Sequence, residues 1–470
     1  MKKILGRCCT VVLTLALILG GLKGLSQITE RKESSRKFAD FYKNEQEYDV
    51  LFFGQSHVLN GIFPMELWKE HGLVSYNMGG HGNRLPLTYW VIKNTLEYTK
   101  PKLIVVDCYM LGLEDKLETL EQLHISSDHF PLTKTKAAMI EDMVEEEERR
   151  NDFLWEFSTY HHRWNDLKEE DFQLPRVLEK GAESRSNVAL PDETILMTEE
   201  VLEDVTLGIE YLYKILELAK EEGIEILLTY LPFPDNTGWQ IESNTAKIIA
   251  QEEGVHFLDY HTLWNQLDPE TDFYDPNSHM NPSGAVKITK YIGDFIVENY
   301  EMTDHRDDPA YQDWEKDYEE YSGWKVENLT SQEELETYLM LLKNCDVTYA
   351  LYVKPNSPIW NEPVLTKLLM NLGVNIAGFT EADRVLVLEN ETKEEIWLNL
   401  FDRTETKVGE MSLFYNDDGH LVIESPDLSQ MEITFSDIAL IIFDEETSEI
   451  IDKKKISFGE IDTEWMMKSE

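Results

Sequence analysis

The run Val50-Leu51-Phe52-Phe53-Gly54-Gln55-Ser56-His57 joins an apolar stretch to a Gly-x-Ser turn, which predicts a buried strand presenting a hydroxyl at its C-terminal edge. In open parallel sheets ligands gather at that edge. A serine hydroxyl is a weak nucleophile, so acyl-transfer chemistry at Ser56 requires a histidine base from elsewhere in the chain. The chain supplies one in Asp275-Pro276-Asn277-Ser278-His279-Met280-Asn281-Pro282-Ser283-Gly284-Ala285, a polar loop running into an amphipathic helix around Val286 to Val297. Asp275 could hold one ring nitrogen of His279 and fix its tautomer. Ser56, His279 and Asp275 are the expected nucleophile, base and orienting carboxylate. The plain alternatives are a serine that caps the next helix and a solvated loop histidine. Each motif alone is ordinary; their joint presence points to nucleophilic catalysis.

Such a nucleophile needs donors for the oxyanion. Tyr76-Asn77-Met78-Gly79-Gly80-His81-Gly82-Asn83 follows a predicted strand, and a glycine there brings backbone N–H groups close without a Cβ in the way. Gly82 is the expected donor, Gly79 and Gly80 the alternatives, and a simple turn glycine the ordinary reading. Asn83 and Arg84 are candidate helpers. His161-His162-Arg163-Trp164 could contact a sugar or acyl donor, or form a helix-surface cluster; the histidines lack partners at metal-ligand spacing. His57 is expected to point away from the Ser56 hydroxyl and to make local hydrogen bonds. No metal or cofactor is expected.

The elements that must position these residues read as alternating strands and helices. Strands are predicted at Val50 to Phe53, Val74 to Asn77, Leu103 to Asp107, Ile224 to Tyr230 and Val255 to Leu258. Val201, Val205, Ile209, Leu212 and Leu216 recur at helical spacing up to the Gly223 stop. A helix feeding a strand through a short loop implies a right-handed crossover, hence an α/β fold: a three-layer α/β/α, doubly wound parallel sheet. Between Leu111 and Glu193 lies a largely helical, acidic insertion. Residues 301–324, dense in Asp, Glu and Tyr, read as a linker to a smaller strand-rich α+β domain over 325–470. That domain opens with a capping-box pattern at Ser331 before a helix from Leu335 to Lys343, then a strand from Val347 to Val353 and a hairpin from Phe414 to Val422.

The two chemical motifs together resemble the SGNH (GDSL-like) hydrolase superfamily over roughly Tyr48 to Tyr300, within a domain spanning residues 28–300. The likeness is nearest to exported members of bacterial envelopes, relatives of alginate-acetylation and teichoic-acid-alanylation proteins. Gly54-Gln55-Ser56-His57 matches the first block, the Tyr76 to Asn83 stretch the second, and Asp275 to His279 the last. The resemblance implies a flavodoxin-like sheet and a serine esterase or O-acyltransferase. The third-block Asn is replaced by Val105-Val106-Asp107-Cys108-Tyr109, and Asp275 precedes His279 by four residues instead of three. Asp272 is therefore an alternative to Asp275, and a Ser-His dyad a further one. Trp324 to Asp462, with Leu372-Gly373-Val374 and Ile456-Ser457-Phe458-Gly459-Glu460-Ile461, resembles the interleukin-like EMT-inducer (PANDER-like) domain, which implies a carbohydrate- or partner-binding module.

Acidic residues outnumber basic ones by 90 to 43, a formal net charge of −47 that opposes nucleic acid as a partner. Residues 1–27 place Lys2, Lys3 and Arg7 before the uncharged run Cys8 to Leu22, the pattern of a signal anchor with the bulk of the chain exported. Cleavage near Gly24-Leu25-Ser26 is the alternative, giving a secreted form. Of four cysteines, Cys108 and Cys345 lie outside this segment, so a single bridge between them is the most the rest of the chain could form. The expected activity is an exported serine hydrolase or O-acyltransferase acting on ester, most naturally O-acetyl, groups of an envelope or extracellular polysaccharide. Its expected partners are the acylated glycan or a small ester, the membrane, and a membrane-bound acyl-transfer protein. The alternative is a non-catalytic glycan-binding or scaffold protein on the same fold.

Overall fold

The computed structural model describes residues 2–29, 36–43, 46–116, 119–154, 159–172, 176–192, 197–234, 237–389, 392–398, 403–425, 429–434, 436–444, 449–458 and 465–469. Gly459, Glu460, Ile461 and Asp462 of the C-terminal motif lie outside them. The chain divides into two compact units, one formed by Met1–Glu183, Glu193–Gln266 and Ile288–Gln312, the other by Ser184–Asp192, Leu267–Lys287 and Asp313–Glu470.

The first unit is an α/β sheet of five parallel strands, β1 (Val50–Phe53), β2 (Ser75–Asn77), β3 (Leu103–Asp107), β4 (Glu225–Thr229) and β5 (His256–Leu258). They run in the order β2-β1-β3-β4-β5, the flavodoxin-like order of doubly wound sheets. Val50 lies opposite Ser75 on one side and Leu103 on the other, so β1 is central and buried along its whole length. That explains its unbroken apolar run. The order reverses between β1 and β3, which puts the ligand crevice of such folds at their C-terminal ends.

Every predicted strand of this sheet is present, with ends shifted by one residue at β2, β4 and β5. The helix before β4 is shorter than its periodicity suggested. It spans Leu207–Glu222, starting where the Thr206 side chain accepts the Ile209 N–H and stopping at Gly223, whose φ of 67° is left-handed. Val201 and Val205 lie outside it and are exposed, because the local cap overrode the apolar spacing. The insertion carries helices Leu120–Ser127 and Lys134–Met143, followed by short helical turns.

In the second unit β6 (Thr348–Val353), β7 (Arg384–Glu389), β8 (Thr392–Trp397), β13 (Ile438–Phe443), β14 (Ile450–Phe458) and β15 (Trp465–Ser469) form a sheet ordered β15-β14-β13-β6-β7-β8. Strands β9 (Thr404–Glu405), β10 (Ser412–Tyr415), β11 (Leu421–Glu424) and β12 (Gln430–Ile433) form a second, antiparallel one. Strict alternation fills both faces of the larger sheet. Leu351 and Leu440 pack with helices Leu335–Leu342 and Pro363–Asn371, while Ala350 and Ile441 pack against Leu413 and Ile423 of the smaller sheet. The helix Leu335–Leu342 has Glu334 at its N-cap without a side-chain cap, so the expected box at Ser331 does not start it. The acidic stretch read as a linker is helical over Gln312–Thr330, with Trp314 and Tyr321 buried.

A helix spans Lys2–Thr29. Among the described residues no helix is long and apolar enough to cross a membrane. Cys108 and Cys345 are not joined in the single bridge the sequence allowed.

Candidate active site

Ser56 opens a short helix, Ser56–Gly61, directly after β1. From Tyr48 through Trp68 it is the only residue that is not buried, so the chain brings a single side chain toward solvent at the end of its central strand. Gly54 makes the turn with φ 154°, and a Cβ there would stand 2.6 Å from Val58 Cγ2 and 2.9 Å from Asp107 Cβ. Only glycine fits that space. The helix has only six residues, so its dipole adds little at Ser56.

The second block is a rigid loop laid against this turn. The Met78 N–H donates to Phe52 O at 2.7 Å and the Gly80 N–H to Gly54 O at 3.1 Å. Gly79 donates to Asn77 Oδ1 at 3.0 Å. The N–H groups of both alternatives are thereby spent, that of Gly79 inside the loop and that of Gly80 on the turn after β1. Gly82, at φ 66°, accepts the Arg84 N–H at 2.9 Å and donates to no protein group among the described residues. Asn83 is buried; its Oδ1 accepts the Ser126 hydroxyl at 2.6 Å and its carboxamide packs over Gly80, which makes it part of the loop's support. Arg84, also buried, lies 3.7 Å from Asp115.

Nothing in the local sequence pointed to Lys37. Its buried ammonium donates to Asn77 O at 3.0 Å and Gly181 O at 2.9 Å, tying the second block to the returning end of the insertion. Burial pulls its pKa down to about 7, with the Glu183 charge opposing. A buried carboxylate pair was also missed. Asp107, packed on Gly54 at the place of the third block, accepts the Leu231 N–H at 2.8 Å. Glu242 accepts the N–H groups of Leu111 and Gly112, each at 2.8 Å, and the Tyr230 hydroxyl at 3.0 Å. Burial pushes both carboxyls up to about 7, partly offset by these donors. The only signal for Asp107 was an acid closing an apolar strand; Glu242 lies inside a helix pattern that marks nothing.

His57 is buried in an aromatic box, contrary to the expected local hydrogen-bonding role. Its ring stacks on Phe233 at 4.4 Å and 9° and meets Tyr109 edge-on at 4.3 Å. His161 and His162 are exposed on a 3-10 turn, His161–Asn165, which Arg163 ties to Thr29 O at 3.1 Å. That bond puts the pair beside the end of the N-terminal helix.

The last block lies in the second unit. There His279 Nδ1 is 2.7 Å from Asp275 Oδ2, and the His279 N–H donates to Asp275 Oδ1 at 3.2 Å. Burial alone would raise the Asp275 carboxyl, but the His279 bond and charge with the neighbouring N–H groups hold it below its ordinary value. Donation from Nδ1 to this carboxylate corresponds to the tautomer in which the lone pair sits on Nε2. Asp272, the alternative, is fully buried and occupied elsewhere: Lys287 Nζ reaches its two oxygens at 2.8 and 2.6 Å, and the Ser283 hydroxyl donates at 2.8 Å. The four-residue spacing suits Asp275, because the chain bends around its carboxylate, which accepts the Asn277 and His279 N–H groups and meets the ring. Among the described residues no group of three or more His, Cys, Asp and Glu is arranged to hold a metal ion.

No family model matches the chain, and no curated protein matches it. A crystal structure described as a "putative acylhydrolase" from Bacteroides fragilis is similar to it with a TM-score of 0.30 and 14% identity, over 57% of this chain and 99% of that one.

Proposed function

We propose that the protein is a serine hydrolase or O-acyltransferase in which Ser56 is the nucleophile, His279 the base and Asp275 the carboxylate that orients it. The observation that carries this reading is Ser56 itself, the single partly exposed side chain in a buried run, delivered at the switch point of a doubly wound sheet. Ser56 Oγ attacks the ester carbonyl carbon while its proton passes to His279 Nε2. The N–H groups of Gly82 and Ser56 receive the oxyanion. Collapse breaks the carbonyl carbon to alcohol oxygen bond, and His279 returns the proton to the leaving alcohol. Water or a sugar hydroxyl then takes the acyl group from Ser56 by the same steps in reverse.

The substrate class proposed is an O-acylated, chiefly O-acetylated, polysaccharide. Tyr109 and Trp239 support a sugar substrate: their half-exposed rings lie 5.0 Å apart beyond the end of β3 and offer a face on which a pyranose can stack. Arg84, His161 and His162 are proposed as secondary contacts. We place the protein at the membrane, with the globular chain exported. The described part of the N-terminal helix supports this, because Val11, Val12, Leu13, Leu15, Leu17, Ile18 and Leu19 are each more than half exposed and lie on all its sides. That much exposed apolar surface on a helix favours an apolar surrounding.

A fluorophosphonate probe tests the catalytic reading. Covalent labelling of the full chain that disappears in Ser56→Ala and His279→Ala supports it. A folded chain that takes no label supports the alternative, a glycan-binding protein on the same fold.

A further inference from the structure

The N-terminal helix changes character at its last turn. Leu25 is half exposed, whereas Ser26 and Thr29 are buried. What buries this end is the insertion: the 3-10 turns His161–Asn165 and Glu169–Phe172 pack on it. Arg163 closes the junction, donating from Nη1 to Thr29 O at 3.1 Å and from Nη2 to the buried Asp171 at 3.2 Å. The two turns bury almost nothing of their own large rings. Trp164 is 66% exposed and Phe172 65%, each adjacent in sequence to a residue of that junction.

The two turns with these exposed rings form a collar on the last turn of the N-terminal helix. From Leu25 to Thr29 the helix rises about 6 Å at 1.5 Å per residue. The interfacial layer on each side of a bilayer is of the same order, about 5 to 8 Å. Aromatic rings with one wet edge are the side chains that settle in that layer. The local charges do not favour an anionic surface, since Asp166, Glu169, Glu170 and Asp171 outnumber Arg163 and Lys168 in this stretch of sequence.

We infer that Trp164 and Phe172 are seated in the headgroup layer of the membrane that holds the N-terminal helix, so that the insertion rests on the bilayer. The occupant of this surface is a zwitterionic lipid interface. The inference rests on the membrane placement proposed above and is independent of catalysis. It fixes the insertion at the membrane face, so that the helix and the collar together constrain the orientation of the first unit.

The test uses the full chain reconstituted into phosphatidylcholine vesicles with brominated acyl chains, which quench tryptophan emission at the interface. Flotation first establishes insertion; a chain that does not float with the vesicles overturns both the membrane placement and the collar. In the inserted chain, Trp164→Phe is expected to lower the lipid-quenched emission by on the order of a tenth of the total, since the chain has 11 tryptophans. Trp397→Phe, at an exposed position in the second unit, is expected to change nothing. Adding Phe172→Trp to Trp164→Phe is expected to restore the quenching. An inserted chain whose quenching is indifferent to Trp164 overturns the collar alone and leaves a protein partner as what covers these rings.

Discussion

The His279 ring and the Asp275 carboxylate meet at 2.7 Å, Nδ1 to Oδ2, in a loop whose ends are joined by the Phe273–Met280 bridge. One loop thus carries both residues of the pair proposed as base and orienting carboxylate. Asp275→Asn keeps the shape but presents an amide that can favour the wrong tautomer. Turnover of a nitrophenyl ester is expected to fall by about 100- to 10,000-fold, with KM little changed. Equal turnover in variant and wild type would show that Asp275 has no part in the chemistry.

Asp272 provides the contrast. Asp272 is buried while Lys287 is half-buried, and Asp272→Ala removes the ammonium's partner. The expected loss is about 2 to 3 kcal/mol, less than for a fully enclosed pair because Lys287 reaches solvent. Urea unfolding measures that loss, while fluorophosphonate labelling of the folded fraction is expected to persist. Labelling abolished at unchanged stability is the opposite result, and it would make Asp272 the orienting acid.

Gly54→Ala forces a Cβ against Val58 and Asp107 at a φ that only glycine adopts freely. A destabilisation of about 2 to 4 kcal/mol is expected, together with displacement of Ser56 and loss of labelling. Gly223→Ala meets no atom within 4 Å, so it is strained only by its φ of 67° and is expected to cost less, with labelling intact. Thermal melts of the two variants make the comparison.

Asp107 and Glu242 titrate near 7 in the folded chain against ordinary values of 3.8 and 4.5. Between those limits the folded state binds more protons than the unfolded one, so their contribution is fully present at low pH and is lost as pH rises through 7. Asp275 runs the other way, since its lowered pKa gives a contribution present above its ordinary value and lost as pH falls through the lowered one. Glu242→Gln is therefore expected to shrink the drop in urea midpoint between about pH 5 and about pH 8. A drop of wild-type size in the variant would place the proton linkage elsewhere.

Much of this molecule is legible in its sequence because local rules and tertiary need agree. Val50 to Phe53 is apolar without interruption, and a central parallel strand is buried on both faces; Gly54 stands where a turn admits no Cβ. The hairpin around Asn416 to Gly419 likewise follows from turn residues between alternating strands. Where Thr206 caps a helix that apolar spacing alone starts earlier, a side-chain hydrogen bond outweighed periodicity.

The sequence by itself determined the order of strands and helices, the serine at a strand end and an Asp–His pair one turn apart, since each depends on neighbours within a few residues. Tertiary structure decided which glycine N–H is left over, because Gly80 spends its own on Gly54 O, brought in by the turn after β1, while Gly79 is bound locally by the Asn77 side chain. It also decided that Asp107 is enclosed against Gly54, that Lys37 crosses to Asn77 and Gly181, and that His57 sits between rings from distant loops. Burial and pairing of this kind are properties of the packed chain, and no short window of sequence contains them.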